Sequence, residues 1–166
     1  MTKEFSHIVW TTHGCWKPDD QRGDWTQLGD FYNRLLTEFA GVKFSRALPH
    51  VWNPQAPLRD HVSLGDKARA QLGADIRKLS VSDRVAGNMP VVAIAVEPTC
   101  VQLVLSCDAA SLSQKVGRLK SRTATLLKFN PETGVGGKNT WGKGFWYASF
   151  VDQKIVECVA AFVNAP

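Results

Sequence analysis

Apolar and polar positions change period along the chain, and each change marks an element. Phe5–Thr12 combines Ile8, Val9 and Trp10 with two threonines, which suits a half-buried strand. Gly14, Pro18 and the pair Asp19 and Asp20 then predict a loop. Phe31, Leu35, Leu36 and Phe39 recur at helical spacing, predicting a short helix over Asp30–Phe39. Pro49, Pro54 and Pro57 break any period in the stretch that follows. Leu64, Ala68, Leu72, Ile76 and Leu79 return on one helical face, predicting a helix over Leu64–Leu79.

The second half alternates in the same way. Val91–Val96 reads as a buried strand, Glu97-Pro98-Thr99 as a turn and Val101–Cys107 as the second arm of a hairpin. Val101, Leu103 and Leu105 fall on one face of that arm, and Cys100, Gln102, Val104 and Ser106 on the other. Ser111-x-x-Gln114 has the form of a capping box, and Leu112, Val116, Leu119 and Leu126 give the stripe of a helix over Ser111–Lys128. Asn130 and Pro131 end it, and Gly134, Gly136 and Gly137 predict a flexible loop. Trp141–Val151 reads as an aromatic-rich strand. Asp152 caps a last helix that carries Ile155, Val156, Val159, Phe162 and Val163. The order strand, helix, strand, strand, helix, strand, helix predicts an α+β fold. A ferredoxin-like sandwich is expected, with helices covering one face of a mainly antiparallel sheet. With no repeat and no linker, residues 1–166 read as a single domain.

Composition narrows the class. An apolar content of 44% can fill a core, and the longest apolar run, Val91–Val96, is too short to span a bilayer. The start of the chain lacks a signal-peptide pattern, so a cytoplasmic protein without a membrane partner is expected. Cys15, Cys100, Cys107 and Cys158 form no C-x-x-C pair, which points to free thiols rather than a zinc site or a disulfide framework. A formal charge of +5 permits an acidic partner without requiring one.

Three stretches together resemble the single-tyrosine HUH transposases, in particular the REP-associated tyrosine transposase type. Thr12-x-Gly14-x-Trp16-x-Pro18-x-Asp20-x-Arg22-Gly23 is similar to the loop after the family's first strand. Ala95–Val104 resembles the hairpin in which a turn leads into His-hydrophobic-His. The third stretch runs from Trp141-Gly142 to Phe162-Val163, where the family places a tyrosine followed by a branched apolar residue. With the helix Ser111–Lys128, the likeness covers most of the chain outside residues 40–65.

The resemblance implies an enzyme that cuts single-stranded DNA through a phosphotyrosine link. A divalent metal such as magnesium would be held by two histidines, often with a glutamine one turn past the tyrosine. Here the histidine positions are Cys100 and Gln102, the tyrosine position is Phe162 and the glutamine position is Pro166. Phenylalanine has no oxygen with which to attack phosphorus. A thiol is a soft ligand for hard magnesium, and a neutral amide is at best one ligand. Tyr32 and Tyr147 are the alternative hydroxyls, read as packing residues. His7, His13, His50 and His61 lack metal-ligand spacing, although His7 or His13 could lie near the site. The site is therefore expected to be degenerate, with no catalytic residue and no bound metal.

Binding features remain. Lys115, Arg118 and Arg122 share a face of the third helix, and Lys120 and Lys128 add charge with no acidic residue in that segment. Trp16, Arg22 and Trp25 in the first loop offer stacking and phosphate contacts. Lys138, Lys143, Trp146 and Tyr147 mix charge and aromatics near the last strand. The expected function is a catalytically silent, transposase-like protein that binds single-stranded or hairpin DNA, with a second copy of the chain, in a homodimer, as a further candidate partner. The alternatives are an active metal-dependent transposase or nuclease with an atypical site, and an interaction module that does not touch nucleic acid.

Overall fold

The computed structural model of the protein describes residues 3–136 and 139–165. Among these, five strands and four α-helices run in the order β1 (Phe5–Thr11), α1 (Thr26–Glu38), β2 (Lys43–Phe44), α2 (Asp66–Ser82), β3 (Val91–Val96), β4 (Cys100–Ser106), α3 (Ala109–Phe129), β5 (Trp146–Phe150) and α4 (Gln153–Asn164). The strands form one sheet in the order β2-β5-β1-β4-β3, with antiparallel pairing throughout. The α+β class and the antiparallel sheet are as expected from the pattern of strands and helices.

The expectation that helices cover one face is corrected. They cover both. β1 is buried along its whole length, with Ile8 and Trp10 on one face and Phe5 and Val9 on the other. β4 likewise sends Leu103 one way and Val104 the other. Strands apolar on both faces must be covered on both. α2 and α3 cover the first face through Leu72, Ile76, Val116 and Leu119. α1 and α4 cover the second through Leu28, Tyr32, Val156 and Val159.

Several boundaries differ for local reasons. α1 starts at Thr26, one turn earlier than the apolar spacing shows, because no side chain caps its first turn to mark the start. α3 is capped by Asp108, whose carboxylate accepts from the Ser111 backbone N–H, so the expected Ser111–Gln114 box gives way to a cap three residues earlier. The last strand is shorter than expected. Trp141 makes only an isolated bridge to Thr12, and Gly144, at φ +70, turns the chain before β5 begins. Asp152 caps α4 as expected, accepting from the Lys154 N–H at 2.9 Å. The expected loop glycines Gly134 and Gly136 lie in a non-helical stretch, whereas Gly137 and Lys138 lie outside the described residues.

Candidate functional site

The sheet register creates the site. β1 and β4 pair so that Thr11 faces Cys100 and Val9 faces Gln102. Directly opposed residues share a sheet face, so Cys100 and Gln102 lie on the side covered by α1 and α4. At this end of the sheet a cleft of about 500 Å³ opens. Thr11, Thr99, Cys100 and Gln102 form its floor. Phe162 comes from α4, Gln27 and Leu28 from the start of α1, Asp24 and Trp25 from just before it, and Trp16 from the first loop. Pro54, Gln55 and Pro57 close it from the irregular stretch. Cys100, Gln102, Phe162 and Trp16 are thus brought together. Pro166 lies outside the described residues.

Behind Gln102 runs a buried hydrogen-bond relay. His7, fully buried on β1, has Nδ1 2.7 Å from the Tyr32 hydroxyl and Nε2 3.0 Å from Oε1 of Gln102. Tyr32 is also buried, and His7 is its only hydrogen-bond partner among the described residues. Its proton therefore goes to Nδ1, because otherwise a buried O–H would lack an acceptor. His7 must then carry its own proton on Nε2 and donate it to the Gln102 oxygen. Burial lowers the His7 pKa to about 4, so the ring is neutral at pH 7. His7 takes one lone pair of the Gln102 oxygen, and no hydrogen-bond partner meets the Gln102 NH₂ group among the described residues.

The other positions offer equally little to a metal. The Cys100 thiol donates to a carboxylate oxygen of Glu97 at 3.2 Å. Burial, then the Glu97 charge, push its pKa well up, so it is a protonated thiol. Phe162 stacks on Phe31 with ring centroids 4.4 Å apart and meets the His7 ring edge-on at 6.5 Å. A neutral thiol, a single neutral amide whose oxygen is already bonded to His7, and a phenyl ring do not fit a magnesium ion. His13 pairs with Asp60 at 3.4 Å and His61 with the Leu58 carbonyl, and neither histidine lines the cleft. Tyr147 packs on the opposite sheet face, with the α2–α3 core.

The first loop is braced by its own side chains. The Arg22 guanidinium lies 3.8 Å from the centre of the Trp16 ring and grips the Asp20 carboxylate from Nε and Nη2 at 2.9 and 2.6 Å. That grip lowers the Asp20 pKa. The Trp25 indole N–H donates to the Trp16 carbonyl at 2.9 Å. Trp16 is thus a fixed wall of the cleft, with one face already occupied by Arg22. The lining includes the carboxylates Asp24 and Glu97 but no lysine or arginine.

No protein-family model matches the chain, and no curated protein does. A crystal structure named as that of a "putative transposase" from Deinococcus radiodurans R1 is similar over 99% of this chain and 91% of its own. The identity is 13% and the TM-score 0.44.

The basic residues of α3 lie on the other side of the sheet, because α3 packs on the Ile8 and Trp10 face. They divide by role. Arg118 Nε donates to both oxygens of Asp83 at 3.2 and 3.3 Å. Asp83 also accepts from the Ala86 and Val85 N–H groups, and these contacts hold its pKa down at about 2. Lys120 turns inward and donates to the carbonyls of Gly142 and Gly144 at 2.8 and 2.7 Å. Arg122 is exposed and Lys115 half-buried. The helix therefore does not present one uninterrupted row of free charges.

Sequence reasoning missed the Tyr32–His7–Gln102 relay. The available signal was parity: His7 shares its strand face with Val9 and Thr11, the face that registers against Gln102 and Cys100.

Proposed function

We propose that the protein is a transposase-like, non-cutting binder of single-stranded or hairpin DNA, which holds an unpaired base in the cleft. One observation carries this reading: the relay engages the Gln102 oxygen and leaves its NH₂ group without a partner among the described residues, at the position where the resembling family holds metal. A donor amide repels a cation but suits the carbonyl or ring-nitrogen acceptor of a base. The rest of the lining supports the same ligand. Trp16, Trp25 and Phe162 supply aromatic surface, worth about 1–3 kcal/mol per stacked base in single-strand binders. Asp24 and Glu97 can accept from exocyclic amines. With no cation in the lining, phosphates would stay at the rim. Phe162 in place of a hydroxyl gives no nucleophile, so bound DNA would be released intact.

The test is a titration of labelled single-stranded and hairpin oligonucleotides with Gln102→Leu and Trp25→Ala beside wild type. Weaker binding in both variants supports the cleft. Unchanged binding, or no binding by wild type at low salt, favours an interaction module with no nucleic-acid role.

A further inference from the structure

Lys17 and Lys120 both reach Gly144, on the loop beside Thr11 at the end of the sheet. Lys120 Nζ spends two of its three protons on the carbonyls of Gly142 and Gly144. Lys17 Nζ comes within 3.4 Å of where a Cβ would sit on Gly144. The two ammonium groups therefore flank the same glycine, which has φ +70 and no side chain to fill the gap. Among the described residues neither lysine has a carboxylate within ion-pair distance. Asp20, whose charge Lys17 feels, is gripped by Arg22 instead. The loop that carries Gly144 is tied to Thr11 of the cleft floor, since the Gly142 N–H donates to the Thr11 carbonyl at 2.9 Å.

We propose that Lys17 and Lys120 form a phosphate subsite beside Gly144, where one phosphate group bridges the two ammonium groups. The proposal deepens and rests on the reading of the cleft as a single-strand site, with the bridging phosphate belonging to the bound strand. Placing two like charges side by side raises the energy of the empty site, and an anion between them reverses the sign of that interaction. Two carbonyls already orient Lys120, so little side-chain freedom is lost on binding. Burial, then the Lys17 charge, lower the Lys120 pKa to about 8, which makes its state readable: a bridging anion holds the proton on. Exposed Lys143 sits between the two glycines, and Lys17 is the charged neighbour that Lys120 feels.

Acylation of Lys120 by an amine-reactive ester at pH 8, read by peptide mass spectrometry, tests this on the full chain. Exposed Lys154 at the start of α4 serves as the internal reference. Inorganic pyrophosphate and a single-stranded oligonucleotide are the two probes. Both are expected to suppress Lys120 labelling several-fold relative to Lys154. Lys17→Ala should abolish that protection, and Lys17→Arg should restore it. Lys17→Ala should also flatten the log–log salt dependence of oligonucleotide binding by about 0.7, the value for one phosphate on a single strand. Protection by pyrophosphate without oligonucleotide binding would keep the subsite but sink the single-strand reading. Oligonucleotide binding with Lys120 unprotected by either probe and the slope unchanged would overturn the subsite and leave that reading intact.

Discussion

Lowering the pH from 7 to 5 should destabilise the fold through His7. Neutral His7 accepts from Tyr32 and donates to Gln102. A second proton, on Nδ1, would turn the ring toward Tyr32 as a donor and leave the buried tyrosine hydroxyl with nothing to donate to. The ring pKa falls from 6.5 to about 4 on folding. The unfolded chain therefore binds the proton first. His7's contribution is complete above about pH 6.5 and is lost as the pH falls toward 4. A shift of this size corresponds to about 3 kcal/mol in full and to roughly 2 kcal/mol by pH 5. Asp20, Asp83 and Asp108 all have pKa values lowered from 3.8. Their losses come at lower pH than that of His7. Urea unfolding at pH 7, 6 and 5 should give a wild-type stability that drops through this range. His7→Gln, less stable at pH 7, should show a much flatter profile. Parallel profiles for the two proteins, or a His7 ring that titrates near 6.5 by NMR, would refute the relay.

Two glycines in helices should respond oppositely to alanine. At Gly29 on α1 an added Cβ meets the Trp52 ring, with Cζ3 at 2.6 Å, so Gly29→Ala should cost about 1–3 kcal/mol and disturb the 54–57 wall of the cleft. At Gly117 on α3 nothing lies within 4 Å, so Gly117→Ala should stabilise by up to about 1 kcal/mol; thermal melts of the pair check both signs. Arg122→Ala should flatten the salt slope for hairpin binding by about 0.9 if that exposed side chain touches a duplex phosphate. Arg118→Ala should change the slope less, because Asp83 already holds Arg118; salt titrations of the two variants compare them directly.

The strands and helices of the second half were legible because their periods are clean. The hairpin β3–β4 and the stripe Leu112, Val116, Leu119 follow the side-chain geometry of isolated elements. What was not legible depends on pairing between distant segments. β2 has only two residues, and its pairing with β5 leaves no periodic trace. The two-sided covering of the sheet could be read in part from β1, where Phe5, Ile8, Val9 and Trp10 are apolar on both faces. At the site, parity within β4 was enough to put Cys100 and Gln102 on one face. Their coupling to His7 and Tyr32 was not visible, because it joins residues 95 and 25 apart in sequence. The partners of the α3 charges were hidden for the same reason. Composition counts Lys120 as surface charge, whereas two carbonyls from the 142–144 loop draw it inward.

The central claim is that the cleft binds DNA through donors and aromatic surface without metal and without cutting. A labelled hairpin oligonucleotide with an unpaired extension, incubated with wild type and Phe162→Tyr, tests it most directly. Binding should be the same in magnesium, in manganese and in chelator, and denaturing gels should show neither cleavage nor a covalent protein–DNA adduct for either protein. A metal-dependent adduct formed by the wild type would contradict the account.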